Sequence, residues 1–276
     1  MKIKPVMAIC TVVLILSQRF TAEAEELALF AGAASKPATQ EIVELFESKT
    51  GHSVRIYFGN SGNALFQMKI ARRGDIYFPG SPDFMEQANR EGLIIPETIR
   101  IIAYLVPAIT VQRGNPKQIL SLRDLARSDV RVAIGNPYTV IAGRYAVEIL
   151  ERAKLAAEVR PRIVGYTETV EKAVSLVAMK GVDAIVGWQM HESWNPENIL
   201  TVLLPPEQIS RISYMPMAVS SLSENVELAV QFVEYACSGE GKRIFEKWGY
   251  VTREEDARRY APDAVLGGDY TLPEGW

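Results

Sequence analysis

Apolar, strand-like runs alternate with helix-like segments along most of this chain, and that alternation constrains its fold more than any other feature. The segments ELALFAG (26–32), SVRIYFGN (53–60) and GDIYFPG (74–80) have the length and apolar character of buried strands. Two more such runs, DVRVAIGNP (129–137) and VDAIVGW (182–188), each lie near an amphipathic helical pattern. Strands that alternate with helices predict an α/β fold with mostly parallel sheets.

Two longer extended runs predict how the chain divides into lobes. IIAYLVPAITVQR (101–113) and ISYMPMAVS (212–220) could each pass from one lobe to the other, with hinges near residues 105–112 and 212–218. The polar, Pro/Gly-rich tail after Tyr250 is expected to be a surface extension. The resulting prediction is a signal segment at 1–24, a discontinuous first lobe at 25–108 plus 215–276, and a second lobe at 109–214.

The first 24 residues have the pattern of a secretory signal peptide. A basic start at Lys2 and Lys4 precedes the apolar run Pro5–Leu16, and Ala22-Glu23-Ala24 gives a small-x-small cleavage pattern. Cleavage near Ala24 would leave an exported, periplasmic protein in which Cys237 is the remaining cysteine, so no internal disulfide is expected. A retained N-terminal membrane anchor is the alternative.

Composition and motifs argue against several functional classes. The chain has 30 Lys and Arg against 33 Asp and Glu and a pI near 5.7, so nucleic acid is not an expected partner. The histidines His52 and His191 lack metal-ligand spacing, and neither a G-x-S-x-G elbow nor a P-loop occurs. We therefore expect that the protein is not an enzyme and that it binds no cofactor. The alternative from another class is an exported serine hydrolase that pairs Ser35 or Ser61 with His191.

Four predicted strand–helix junctions carry small residues that suit an anion. Ser35 follows the first strand at a position typical of a helix N-cap, and the second junction contains Ser61, Gly62 and Asn63. The third contains Ala142-Gly143, and in the fourth Thr167 or Thr169 could be the N-cap. Free N–H groups at helix starts attract anions, and small residues let the backbone approach the ligand. Junctions at the ends of parallel strands would converge on one crevice.

The charges at these junctions favour a ligand that only accepts hydrogen bonds. Residues 32–37 and 59–64 contain one lysine and no carboxylate, although Glu168 lies in the fourth junction. A protonated oxyanion such as hydrogen phosphate would be helped by an acceptor for its proton, whereas a fully ionised oxyanion needs donors alone.

Five segments of the chain together resemble one protein family: FAGAASKPATQEIVELFESKTG (30–51), GNSGNALFQMKIARRGDIYFPGSPDFMEQA (59–88), AIGNPYTVIAGRYAVEIL (133–150), SYMPMAV (213–219) and SGEGKRIFEKWGY (238–250). The resemblance runs from about Leu27 to Tyr250 and is to the periplasmic molybdate-binding proteins of ABC importers, which have the two-lobed type II fold with a ligand crevice between the lobes. It implies a monomeric protein that captures molybdate or tungstate for a membrane ABC permease and catalyses no reaction. Sulfate or a small organic acid is the alternative ligand.

The resemblance also implies which residues bind the ligand. Ser35 and Ser61 would bind the oxyanion through hydroxyl and backbone N–H groups, and Ala142 and Val170 through backbone N–H groups, so that the metal is held through the oxyanion alone. The family usually has a further tyrosine contact where this chain has Gly187. We expect Trp188 either to replace that donor or to pack under the cleft wall.

Overall fold

The structure is a computed structural model that describes residues 24–268 and 270–276. The predicted signal peptide lies outside the described residues except for Ala24. The strands are β1 (Glu26–Gly32), β2 (Ser53–Gly59), β3 (Ile76–Phe78), β4 (Arg100–Leu105), β5 (Pro107–Gln112), β6 (Val132–Gly135), β7 (Ile163–Thr167), β8 (Ala184–Trp188), β9 (Ile199–Leu203), β10 (Arg211–Val219) and β11 (Val265–Leu266).

The helices follow most strands, as the alternating pattern predicts. They are α1 (Lys36–Thr50), α2 (Ser61–Ala71), α3 (Pro82–Arg90), α4 (Ile141–Arg152), α5 (Ala156–Val159), α6 (Val170–Ala178), α7 (His191–Trp194), α8 (Val226–Cys237), α9 (Gly239–Lys247) and α10 (Glu254–Arg258). A short 3₁₀ turn, Ala33–Ser35, leads directly into α1. No helix within residues 24–268 and 270–276 combines the length and the apolar character that crossing a bilayer would require.

The strands form two sheets, which define two lobes and confirm the predicted α/β fold class. The first lobe contains the order β11-β10-β3-β1-β2, with β4 also paired to β10, and the second contains β7-β6-β8-β5-β9. Helices α1, α2, α3, α8 and α9 pack in the first lobe, and α4, α5, α6 and α7 pack in the second.

The sheets are mixed, so the prediction of mostly parallel sheets holds only in part. β1 runs parallel to β2 and β3, and β6 runs parallel to β7 and β8. In contrast, β10 is antiparallel to β3 and β4, and β5 is antiparallel to β8 and β9. These two antiparallel strands follow passages between the lobes, where no helical crossover imposes a parallel direction.

The chain passes between the sheets at positions that only partly match the predicted hinges. It enters the second lobe at Val106, between β4 and β5, which lies within the predicted hinge 105–112. It returns through residues 204–210, between β9 and β10. The second predicted hinge, 212–218, is therefore wrong, because those residues belong to β10 and are hydrogen-bonded within the first sheet.

The C-terminal tail is not a surface extension of the first lobe, which corrects the prediction for residues 251–276. Ala257, Ala261 and Ala264 are buried in the apolar core of the second lobe. The Trp276 indole N–H donates to Glu151 Oε1 of α4 at 2.6 Å. Since β11 also pairs with β10 of the first sheet, the tail packs against both lobes.

The larger apolar core continues across the cleft between the lobes. It is built around β1, α1, α8 and α9 of the first lobe, and it also includes Ile141, Tyr145, Val170 and Trp188 of the second. The cleft floor is consequently apolar and closely packed, and polar groups enter it at the helix ends.

Candidate functional site

A small cavity lies between the two lobes, where helices from both of them begin. Measured for the centres of water-sized spheres, its volume is about 20 Å³, somewhat more than the roughly 10–15 Å³ that one water molecule needs. A ligand of only a few heavy atoms would fit. The lining residues are Gly32, Ala33, Ala34, Asn60, Ser61, Gly80, Val140, Ile141, Ala142, Thr169, Val170 and Trp188.

The cavity is surrounded by the N-terminal ends of four helices of the described chain. The turn before α1 and the start of α2 belong to the first lobe, and the starts of α4 and α6 belong to the second. The first N–H groups of an α-helix have no partner within the helix, and the helix dipole makes this end partially positive. Helix ends of this kind, presented by both lobes to one small cavity, suit an anion.

No lining residue of this cavity is Asp, Glu, Lys, Arg or His. The positive potential therefore comes from backbone dipoles rather than from charged side chains. A carboxylate that could accept a proton from the ligand is also missing from the lining, so the arrangement suits an anion that is fully ionised.

The Ser61 hydroxyl is placed to donate a hydrogen bond into the cavity. Its Oγ accepts the backbone N–H of Gly80 at 2.9 Å, and its carbonyl accepts the Tyr77 hydroxyl at 2.9 Å. A hydroxyl carries one proton, and here no described hydrogen bond uses that proton. Ser61 therefore lines the cavity as a donor whose oxygen is fixed by the loop after β3.

The Ser35 hydroxyl behaves differently from its prediction. It does not cap α1; it donates instead to the Gly32 carbonyl at 2.9 Å. Ser35 is buried but does not line the cavity, and Ala34 occupies the lining position beside it. The 3₁₀ turn explains the difference, because its tighter winding turns Ser35 back onto the end of β1. In this arrangement the hydroxyl proton is used by the Gly32 carbonyl.

Ala142 and Val170 both line the cavity from the second lobe. Ala142 is the second residue of α4 and Val170 the first of α6, so both N–H groups fall among those without a helical partner. At the start of α6, the Thr169 hydroxyl accepts the Lys172 N–H at 3.3 Å and acts as the N-cap. The backbone positions predicted at these two junctions thus converge on the same cavity as Ser61.

Trp188 lines the cavity from the end of β8, and it is fully buried. Its ring packs edge-to-face on Tyr145, with the ring centroids 5.1 Å apart. The indole N–H has no hydrogen-bond partner among the described residues. A buried donor without a partner is costly, and a bound acceptor would satisfy it.

His191 explains why Gly187 carries no side chain. A Cβ atom at residue 187 would lie 2.3 Å from Cε1 of the His191 ring, so the imidazole fills the space that a larger residue would need. The Thr110 hydroxyl lies 2.9 Å from His191 Nδ1. Burial lowers the pKa of His191 to about 3, so the ring is neutral at neutral pH. No sequence motif marks the contact between Gly187 and His191, because these two residues meet only in the folded β8–α7 turn.

Several lining residues were not predicted from the sequence. Asn60 caps α2 by accepting the Asn63 N–H at 2.8 Å, and Gly80 holds Ser61. Gly80 could have been found as a small residue after a third strand, by the same rule that identified the first two junctions.

Among the described residues, the two predicted serines and His191 have other hydrogen-bond partners than each other. Hydrogen bonds join Ser35 to Gly32 and Ser61 to Gly80, whereas His191 lies beside Thr110. Within the described ranges, no group of three or more His, Cys, Asp or Glu side chains is arranged to hold a metal ion.

Several proteins with similar sequences or folds bear the names of binding proteins. The chain is 24% identical to the molybdate-binding protein ModA of Rhodobacter capsulatus, with 84% of this chain and 90% of that protein covered. The fold is similar to the sulfate-binding protein SubI of Mycobacterium tuberculosis H37Rv, with a TM-score of 0.76, 14% identity, and coverage of 88% and 93% of the two chains.

A second solved structure with this fold is PEB3 of Campylobacter jejuni in complex with L-phospholactate, with a TM-score of 0.67, 22% identity, and coverage of 82% and 100%. These similarities confirm the two-lobed binding-protein fold. Over residues 27–251 the sequence matches the profile of the bacterial extracellular solute-binding proteins, and the chain belongs to that family.

Proposed function

We propose that this protein captures a small, fully ionised tetrahedral oxyanion in the periplasm and delivers it to a membrane ABC permease. Molybdate and tungstate are the first candidates. The observation that carries the proposal is the convergence of four helix N-termini, two from each lobe, on a cavity of about 20 Å³ that no charged side chain lines. The sequence similarity to a molybdate-binding protein supports a tetrahedral oxyanion as the ligand.

The donor set of the proposed site consists of backbone and side-chain groups from both lobes. The Ser61 hydroxyl and the N–H groups at Ala142 and Val170 donate to the oxyanion, and the Trp188 indole N–H is the proposed replacement for the family tyrosine. Ser35 contributes at most through its backbone, because its hydroxyl bonds to Gly32. Since every proposed contact is a donor, a ligand oxygen that carries a proton would lack an acceptor here.

Sulfate is the second candidate, and a small organic acid that carries an oxyanion is the third. Sulfate has the same charge and shape as molybdate but is smaller, and SubI, with which this chain shares its fold, is a sulfate-binding protein. Gly187, where the family usually has a tyrosine, removes one side-chain donor that would be available to a larger ion.

Isothermal titration with molybdate, tungstate, sulfate, hydrogen phosphate and phospholactate tests the proposal. We expect tight binding of molybdate and tungstate with similar affinity, weaker binding of sulfate, and the weakest binding of hydrogen phosphate. The ligand should be recovered chemically unchanged. Preference for hydrogen phosphate, or no binding of any tetrahedral anion, would contradict the proposal.

A further inference from the structure

An ion pair joins the two lobes next to the cavity. Lys36 Nζ lies 3.2 Å from Glu171 Oε1. Lys36 is the first residue of α1 in the first lobe, and Glu171 is the second residue of α6 in the second. Both residues lie within two positions of a cavity-lining residue, Ala34 and Val170 respectively. Their side chains are 42% and 28% exposed, which places the pair at the edge of the cleft and not inside it.

Glu171 is an unexpected neighbour for an anion site. A carboxylate in the first turn stabilises a helix through its dipole, but it also repels an anion that binds at the same helix end. Lys36 offsets that charge from the opposite lobe. Its ammonium group also lies 5.7 Å from the centroid of the Phe58 ring, which holds it on the first-lobe side of the cleft. The pair adds no net charge to the site, and its attraction acts between the lobes.

We propose that Lys36 and Glu171 form a latch across the cleft that slows the release of the bound oxyanion. The proposal rests on the oxyanion-binding function proposed above and assigns these two residues to ligand retention. The latch makes its full contact only when the lobes are close together, so it favours the closed state in which the helix ends of both lobes reach the ligand. Because the pair is partly exposed, salt should weaken it.

The direction in which Glu171→Gln changes oxyanion binding and release distinguishes a latch from a direct effect of charge on the ligand. If the two residues acted only through their charges on the ligand, Lys36→Gln would weaken oxyanion binding and Glu171→Gln would strengthen it. A latch predicts instead that both substitutions accelerate release. We expect an increase of about two- to five-fold in the dissociation rate for each, the range that partly exposed ion pairs produce.

The experiment measures the release of radiolabelled molybdate into an excess of unlabelled molybdate, at low and at high salt. Glu168→Gln is the matched control, because Glu168 is a carboxylate of the same junction that pairs with Lys172 within the second lobe. Its release rate should stay at or below that of the wild type. The charge exchange Lys36→Glu with Glu171→Lys should recover slow release relative to either single substitution.

Unchanged or slower release from Glu171→Gln overturns the latch, as does a charge exchange no better than the single variants. Failure of the proposed function is distinguishable, because wild-type protein would then bind none of the oxyanions by calorimetry. In that case small-angle scattering of ligand-free protein decides the latch. A larger radius of gyration for Glu171→Gln than for Glu168→Gln supports it, and equal radii overturn it.

Discussion

At the residue scale, two serines that look equivalent in the sequence have different hydrogen bonds in the structure. Ser61 accepts a backbone N–H and keeps its proton, whereas Ser35 uses its proton on the Gly32 carbonyl. A fully ionised oxyanion can use only a proton that is free to be donated. The direction of the existing hydrogen bond, rather than the presence of a hydroxyl, therefore decides which serine can bind the ligand.

Alanine substitution at each serine tests this difference. Ser61→Ala should weaken oxyanion binding by roughly 1.5–3 kcal/mol, which is the net contribution of a hydrogen bond to a charged group. Ser35→Ala is the matched control and should weaken oxyanion binding far less, because its hydroxyl proton is used by the Gly32 carbonyl. Calorimetry measures both. Equal losses in the two variants would show that Ser35 reorients to bind the ligand.

Trp188→Phe tests the indole N–H while keeping an aromatic ring in the cleft floor. If the indole donates to the oxyanion, affinity should fall by about tenfold, the scale of one charge-assisted hydrogen bond. Thermal stability without ligand should fall only through the packing that the smaller ring loses, because the N–H has no partner among the described residues that the substitution could remove. Unchanged affinity would assign Trp188 to packing against Tyr145 instead.

His191 should make folding stability depend on pH. Its pKa is about 3 in the folded protein, against an ordinary value of 6.5, because burial disfavours the charged ring. Between these pH values the unfolded chain binds a proton that the folded protein does not. The stability that the neutral His191 ring provides is therefore fully present above pH 6.5. As the pH falls towards 3, the free energy of unfolding decreases by about 1.4 kcal/mol per pH unit.

Urea unfolding between pH 7 and 5 measures that slope. His191→Gln should flatten it relative to the wild type. Titration of the His191 ring by NMR provides a readout that does not depend on the variant folding well. A ring that titrates near pH 6.5 in the folded protein would contradict the prediction.

At the element scale, the sequence predicts the strands and helices that local residue patterns determine. It does not predict geometry that depends on contacts with distant segments of the chain. β1 covers residues 26–32 as expected, because its apolar run and the following helix are both local signals. The orientation of the Ser35 side chain was not predicted, because it follows from a 3₁₀ turn with three residues per turn rather than 3.6. No residue pattern in the sequence indicates that turn. β5 and β10 each run antiparallel to neighbours in their own sheet. That direction depends on how the chain passes between the lobes, which no single segment encodes.

The contact between α4 and β6 gives a prediction at the same scale. A Cβ atom on Gly143 would lie 2.0 Å from the Gly135 carbonyl oxygen, so Gly143→Ala must push the start of α4 away from the end of β6. We expect a loss of about 1–3 kcal/mol in stability, together with weaker oxyanion binding because the Ala142 N–H moves with the helix. Gly165→Ala is the control, since no atom lies within 4 Å of its Cβ position. Urea unfolding and calorimetry check the pair of variants.

At the scale of the whole molecule, the tail is a further connection between the lobes, beside Val106 and residues 204–210. β11 pairs with the start of β10 in the first sheet, whereas Ala257, Ala261 and Trp276 pack against the second lobe. The sequence could not show this, because a charged, Pro/Gly-rich stretch with scattered alanines is also typical of an exposed tail. A tail fixed to both lobes near their passages would limit their relative movement to a hinge-like opening of the cleft.

Small-angle scattering with and without saturating molybdate tests whether the lobes close on the ligand. The oxyanion-binding donors proposed here come from both lobes, so a bound anion stabilises the closed arrangement by its greater affinity for it. The radius of gyration should therefore decrease on binding. Ser61→Ala should reach the same compact state at a higher molybdate concentration, because it weakens binding without changing the hinge. Identical scattering profiles at saturation would mean that the two lobes already hold their bound arrangement before the ligand arrives.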